Sequence, residues 1–417
     1  MDRIARLLIL LALVALCGAC TSDGEVDQLD DTISEDTKLA SDPDPSACGR
    51  ADYPCRWADV DPAVQAREDE LAAGISEILE EGNLKQAYEW VESQDDVVEA
   101  HLEETMVVFR LAGGMPHVTV EPLVGEAEPP TAVNAQLISH VVQTPPFGVV
   151  GVDTDREHPQ NHKRALFLQP YQWQGLTMDH FAGEESVAIL KEIPDYAHGP
   201  EAVNVVYDDD VTPFSFQNWD SYDVIFVESH GGTWGGGTWI ATGVKVEREE
   251  GRTWEQCLEL MEPYGDMVGV KCGLLKDKPT NTMYVNLGVT ISFWEEEYGA
   301  RGGLDKTVIY MGGCLTLVRE EVSDGRPDLP KLLAGDSSAY LGWTGTVYFH
   351  KEGNVASALL YLLASQDENR TVKASLDTLC NNDLCGGEGF SPSGNTELGI
   401  YQNDGDPGKL RIYDLPT

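Results

Sequence analysis

The sequence is poor in positive charge and in histidine. Its 417 residues hold 28 lysines and arginines against 71 aspartates and glutamates, which gives a formal net charge of −43, and it has nine histidines. A negative field of this strength repels nucleic acid and anionic lipid headgroups, and it attracts cations and basic polypeptides. The shortage of basic residues therefore disfavours nucleic-acid binding, although solubility alone also accounts for the charge.

Motifs of several common protein classes are also missing. The sequence has no H-E-x-x-H and no tight cluster of cysteines and histidines, which disfavours a zinc site. It has no G-x-S-x-G, the turn that carries the nucleophilic serine of α/β-hydrolases. Beyond the N-terminal segment, no apolar run is long enough to span a bilayer. No metal and no other cofactor is predicted.

The N-terminal segment has the pattern of an export signal. Two arginines precede an apolar run, residues 7–16, which is too short for a membrane span. Small residues then precede Cys20, as in the processing site of bacterial lipoproteins, although Cys17 stands where that site usually has leucine. We expect residues 1–19 to be a signal peptide and Cys20 to carry lipid, which would be the only membrane contact, in the bacterial cell envelope (outer membrane or surface). Cleavage near Ala19 and secretion is the alternative.

Export gives meaning to the cysteine count. Of the nine cysteines, Cys17 is removed with the signal and Cys20 carries lipid, which leaves an odd number. Six of the remainder form pairs that are close in sequence and are candidates for local disulfides in an oxidising compartment. These pairs are Cys48 with Cys55, Cys257 with Cys272, and Cys380 with Cys385. Cys314 is left over; since buried inert cysteines are common, parity alone gives it no role.

The segments outside the main domain differ in composition. Residues 20–45 are acidic and polar, and we expect a disordered tether because they bury too little apolar surface to fold. Residues 46–150 combine helical spacing with a hairpin around Gly113 and Gly114, which predicts a small α+β region ahead of the main domain. Residues 367–417 are rich in turn-forming residues and are predicted as a C-terminal tail.

Residues 164–366 alternate apolar strands with helical segments. Nearly continuous apolar strands separated by helices are typical of a parallel sheet that is covered on both faces, so we expect an α/β domain. Two parts of this range do not fit the alternation. The first is the glycine-rich stretch GGTWGGGTWIATG, and the second, about residues 247–287, is predicted as an irregular insertion.

Two of the predicted strands end on a reactive side chain beside glycine. The run YDVIFVESH ends at His230, which Gly231 follows, and the run TVIYMGGC ends at Cys314, which Gly313 precedes. Because ligands bind outside the carboxyl ends of strands in open α/β sheets, the imidazole and the thiol would meet at such a site. An imidazole that removes the thiol proton makes a cysteine nucleophile, and the main-chain N–H groups of Gly231 and Cys314 would bind an oxyanion.

This order of motifs resembles the caspase–gingipain–clostripain superfamily of cysteine peptidases. The sequence that follows Cys314 is similar to the gingipain-type branch, with a helix, then AYLGWTGTV, then the helix NVASALLYLLA. The resemblance covers about residues 164–366 and implies a caspase-like three-layer α/β/α sandwich with a mostly parallel sheet. It implies Cys314 as the nucleophile, His230 as its partner and Gly231 as an oxyanion donor. The implied function is an exported endopeptidase that cleaves polypeptides through a thioester acyl-enzyme.

Several alternatives stay open. Gly312 and Gly313 stand where basic-specific branches of the superfamily often have an acidic residue, so cleavage after arginine or lysine is not implied. Trp343 is a candidate for the substrate cleft, with a buried structural tryptophan as the alternative. Residues 46–150 are either a removable pro-segment or a permanent domain. The competing functions are a catalytically silent caspase-like binding lipoprotein and an α/β-hydrolase, which HGGTWGGG suggests and the absent serine disfavours.

Overall fold

The structure is a computed structural model, and it describes the greater part of the chain after residue 59. The described ranges are 60–81, 83–102, 106–114, 117–121, 163–171, 190–191, 193, 196–197, 202–234, 237–277, 280–317, 329–335, 337–364, 371–387, 390–391 and 396–401. The signal peptide, Cys20, the acidic tether and the Cys48–Cys55 pair lie outside these ranges. Every helix within them is too short or too polar to cross a membrane.

The described residues form both helices and strands along their whole length. The helices are α1 (Pro62–Glu81), α2 (Leu84–Glu92), α3 (Thr253–Met261), α4 (Ile291–Tyr298), α5 (Leu329–Leu333), α6 (Phe349–Ala364) and α7 (Val372–Asn381). The strands are β1 (Val97–Leu102), β2 (Met106–Leu111), β3 (His117–Val120), β4 (Ala165–Gln169), β5 (Val203–Tyr207), β6 (Val224–Glu228), β7 (Gly231–Trp234), β8 (Gly237–Glu247), β9 (Val270–Asp277), β10 (Thr282–Val289), β11 (Val308–Gly312), β12 (Ala339–Trp343) and β13 (Leu398–Tyr401).

One sheet has six strands in the order β13-β12-β11-β6-β4-β5. All its neighbours are parallel except β13, which runs antiparallel to β12. Because side chains alternate along a strand, Val224 and Phe226 pack in one core cluster with residues of α6 and α7. Ile225 and Val227 pack in the opposite cluster, which includes Trp294 of α4. The expected α/β arrangement, a mostly parallel sheet between helices, is thereby confirmed at this level.

A second sheet of seven strands was not predicted. Its order is β1-β2-β3-β9-β10-β8-β7, and its strands are antiparallel except for the β3–β9 pair. The prediction of an irregular insertion over about residues 247–287 is therefore wrong, because this segment forms α3 and the β9–β10 pair. The glycine-rich stretch likewise forms the β7–β8 pair.

The second sheet joins residues from both sides of the predicted domain boundary. The hairpin around Gly113 and Gly114 is confirmed, since β2 and β3 pair antiparallel. However, β3 also pairs in parallel with β9, with Val118 opposite Gly273. Residues from the predicted small α+β region thus complete a sheet of the later chain, and residues 44–417 fall in one compact unit. The β3–β9 pairing was not predicted, because strand pairing between distant segments leaves no signal in the local pattern of either segment.

The C-terminal residues are more regular than predicted. The predicted turn-rich tail contains α7, which Thr371 caps by accepting a hydrogen bond from the Ala374 N–H, and the edge strand β13. Two of the predicted disulfides are confirmed, namely Cys257–Cys272, which links α3 to β9, and Cys380–Cys385. Cys314 takes part in neither bond.

Candidate active site

The ends of β6 and β11 lie side by side in the six-stranded sheet. The two strands are parallel neighbours, and Gly312 stands opposite Glu228 in their register. The Ser229 N–H donates a hydrogen bond of 2.8 Å to the Gly312 carbonyl just beyond this pair. His230 lies two residues after Glu228, and Cys314 lies two residues after Gly312. Both residues therefore lie at the same carboxyl edge of the sheet.

Glycine on both chains allows the two strand ends to approach closely. A Cβ atom at Gly313 would lie 2.8 Å from the Ser229 carbonyl oxygen and 3.6 Å from the Gly231 nitrogen. A Cβ atom at Gly231 would lie 3.1 Å from the Cys314 carbonyl oxygen. Because these neighbours are backbone atoms, a side chain at either position would push the two chains apart.

Cys314 begins a tight turn that hydrogen bonds to neighbouring segments of the same chain hold in place. Leu315, the next residue, has φ 56°, which is the left-handed region that a leucine rarely adopts. The Thr316 hydroxyl donates to the Met311 carbonyl at 2.8 Å and accepts the Trp343 N–H at 3.0 Å. The Leu315 N–H donates to the Gly345 carbonyl at 3.1 Å. These bonds to β11, to β12 and to the segment after β12 offset the strain of the turn, and such strain is concentrated at functional sites.

The Cys314 thiol is buried against the segment that follows β12. Its Sγ lies 3.5 Å from the Val347 nitrogen and 3.7 Å from the Val347 carbonyl oxygen. An amide N–H that donates to sulfur stabilises the thiolate more than the thiol. Val347 is thus a residue of the site through its main chain, and its side-chain type gave no signal in the sequence.

His230 is buried beneath Tyr171. The two ring centroids are 4.3 Å apart with a tilt of 54°, and the Tyr171 hydroxyl donates to the Thr242 carbonyl at 3.0 Å and contacts Asn286 Oδ1 at 3.3 Å. Burial lowers the pKa of His230 from 6.5 to about 3. The imidazole is therefore neutral at neutral pH, which is the protonation state that a general base requires. Tyr171 was not predicted, because its position after β4 looked like the end of an ordinary strand.

The buried state of His230 predicts a loss of stability in acid. The unfolded chain takes up a proton near pH 6.5 and the folded chain near pH 3, so stability is complete above the first value and falls as pH decreases toward the second. The fall is about 1.4 kcal/mol per pH unit. We expect His230→Asn to flatten this part of the profile in urea unfolding at a series of pH values. Equal slopes for wild type and His230→Asn would contradict the prediction.

Trp343 does not line a cleft in this structure. Its side chain is fully buried, its Nε1 donates to the Tyr310 hydroxyl at 3.3 Å, and its ring lies 5.9 Å from that of Phe390. The prediction that Trp343 lines the substrate cleft is corrected, because side-chain alternation along β12 points Trp343 to the face of the sheet that α6 and α7 cover. Trp343 is therefore the buried structural tryptophan that the sequence analysis gave as the alternative.

Two acidic residues beside the site were not predicted. Glu228 ends β6, Glu352 lies on α6, and both are buried. The available signal was Glu228 itself, the one charged residue in the run VIFVESH, since an unpaired buried charge is costly. The partner on α6 had no comparable signal.

No family model, curated protein or solved structure matches this chain, so the residues and contacts described above carry the functional argument.

Proposed function

We propose that this chain is a cysteine endopeptidase with a caspase-like arrangement, in which Cys314 is the nucleophile and His230 its base. The observation that carries the proposal is the adjacency of β6 and β11, whose ends place the backbone at Gly231 within contact distance of the Cys314 backbone. Because the two strands are parallel, the thiol and the imidazole follow neighbouring strand ends, and a nucleophile beside its base is the arrangement that nucleophilic catalysis needs.

In the proposed reaction, Cys314 Sγ attacks the carbonyl carbon of the peptide bond while His230 takes the thiol proton. A C–S bond forms, the carbonyl oxygen becomes an oxyanion, and the N–H groups of Gly231 and Cys314 bind it. The C–N bond then breaks as His230 passes the proton to the leaving amine, and water hydrolyses the thioester. Because burial lowers the pKa of His230 to about 3, the imidazole is neutral before the reaction, and we propose that it takes the thiol proton as Sγ attacks.

A second candidate is a catalytically silent binding protein on the same fold. The observation that favours it is low exposure, since Cys314 exposes 9% of its surface and His230 exposes 7%. A peptide carbonyl needs an open path to Sγ, so a binding protein would keep the present closed arrangement, whereas a peptidase would open the edge to substrate.

Thiol labelling combined with a peptide library distinguishes the two candidates. For the peptidase, we expect folded protein at neutral pH to be alkylated by iodoacetamide at Cys314, and mass spectrometry to show cleaved peptides that disappear after alkylation. The disulfide-bonded cysteines should stay unlabelled and serve as the internal control. If Cys314 labels only after denaturation and no peptide is cleaved, the binding protein is the better description.

Export and lipid attachment at Cys20 belong to the same proposal. The Cys257–Cys272 and Cys380–Cys385 bonds support an oxidising compartment, because disulfides are rare where thiols are kept reduced. We propose the bacterial cell envelope as the location and polypeptides as the substrates.

A further inference from the structure

Two buried carboxyl groups meet directly behind the proposed site. Glu228 is 0% exposed and Glu352 is 1% exposed. Among the described residues, no other group donates a hydrogen bond to either oxygen of Glu228 or to Oε2 of Glu352. Neither side chain forms a salt bridge within the described ranges. Since an ionised carboxylate only accepts hydrogen bonds, the two groups satisfy each other when a proton lies between them.

Other contacts connect this acidic pair to the strand that carries Cys314. The Tyr310 hydroxyl on β11 donates to Glu352 Oε1 at 2.7 Å, and Trp343 Nε1 donates to the Tyr310 hydroxyl. A Cβ atom at Gly312 would clash with Glu352 Oε1. The Glu352 carboxyl thus occupies the space that a side chain at position 312 would need. It lies against the paired backbone of Gly312 and Glu228, which precedes Cys314 and His230.

The environment of the acidic pair keeps it uncharged at neutral pH. Burial raises the pKa of Glu352 to about 8. Burial, followed by the Glu352 charge, raises the pKa of Glu228 well above its ordinary value. Within the described part of the chain, Tyr310 also faces the pair, and burial raises its pKa as well. Ionisation in alkaline solution therefore places a charge between α6 and the sheet, where none of the described lysines and arginines forms an ion pair with it.

We propose that Glu228 and Glu352 are positioning residues: as a protonated pair they hold α6 against the ends of β6 and β11, and loss of a proton in alkaline solution loosens the edge that carries His230 and Cys314. The acidic pair thereby sets an alkaline limit on the site. The regulatory part of this proposal rests on the proposed peptidase function, and the structural part does not.

Glu352→Gln tests the acidic pair, because glutamine keeps the shape and a donor but cannot ionise. The folded pKa lies above that of the unfolded chain, so the stabilising effect of the wild-type pair is complete below about pH 4.5 and is lost as pH rises through about pH 8. We expect the Tm difference, variant minus wild type, to increase across this interval and then stay constant. Glu262→Gln, at an exposed position, should show no such trend.

Activity provides the second readout. For a library peptide that wild type cleaves, kcat should fall above about pH 8 in wild type and persist to higher pH in Glu352→Gln, with Glu228→Gln behaving alike. A Tm difference that does not change with pH in either variant would overturn the proposed role of the acidic pair, even if the protein is an active peptidase. If wild type cleaves no peptide, the proposed function fails. The dependence of Tm on pH still tests whether the protonated pair stabilises the fold.

Discussion

Replacing Cys314 with alanine is expected to lower kcat/KM for peptide cleavage by at least about 10³-fold, because removal of a nucleophile leaves only binding and oxyanion stabilisation. Cys314→Ser should be nearly as inactive, because a serine hydroxyl is a weaker nucleophile than a thiol and the Val347 N–H is placed to contact a sulfur at this position. His230→Ala should give a loss of similar size, as members of one catalytic unit act together. The measurement is steady-state cleavage of a peptide identified from the library.

The fold should survive these substitutions. Cys314 makes no disulfide, so its loss removes one small buried group and costs on the order of 1 kcal/mol of unfolding free energy. The matched control is the double variant Cys380→Ala and Cys385→Ala, which removes two cysteines at a bond distant in sequence from both strand ends and should keep activity. Full activity in Cys314→Ala with an intact urea unfolding transition would place the nucleophile elsewhere.

Gly313→Ala is expected to lower kcat/KM by about 10²-fold while Cys314 and His230 are both present, because misplacement by a fraction of an ångström removes the attack geometry. The added methyl group would lie 2.8 Å from the Ser229 carbonyl oxygen, a backbone atom that is fixed within the sheet. The end of β11 must move away from the end of β6 to relieve this contact. Overpacking of this kind also costs about 1–3 kcal/mol of unfolding free energy.

Gly265→Ala is the matched control for this substitution. Its Cβ atom would meet only the Glu262 carbonyl oxygen at 3.7 Å, an ordinary contact, and the backbone of Gly265 is already helical with φ −57°. We expect wild-type kcat/KM and an unchanged or slightly higher urea midpoint, since alanine restricts the unfolded chain. If Gly313→Ala behaves like Gly265→Ala in both assays, the close approach of the two strand ends has no part in catalysis.

The local features of this protein follow from the sequence. Val, Ile and Phe runs predict β6 and β11 because such residues suit strands that are buried on both faces, and glycine beside His230 and Cys314 marks a close backbone approach. The confirmed disulfides join cysteines 15 and 5 residues apart, so short spacing was enough to pair them. The β2–β3 hairpin is predictable for the same reason, since its two strands are joined by a short turn.

Contacts between distant segments were decided by the tertiary structure alone. Tyr171 against His230, Val347 against Cys314 and Glu352 behind Glu228 each join residues that are far apart in the chain. The pairing of β3 with β9 is of the same kind, since it brings Val118 opposite Gly273. Local periodicity reports which face of a segment is buried and not which partner covers it. The sequence therefore determined which strands end on a thiol and an imidazole, and the packing of α6 and of the segments after β4 and β12 decided what surrounds them.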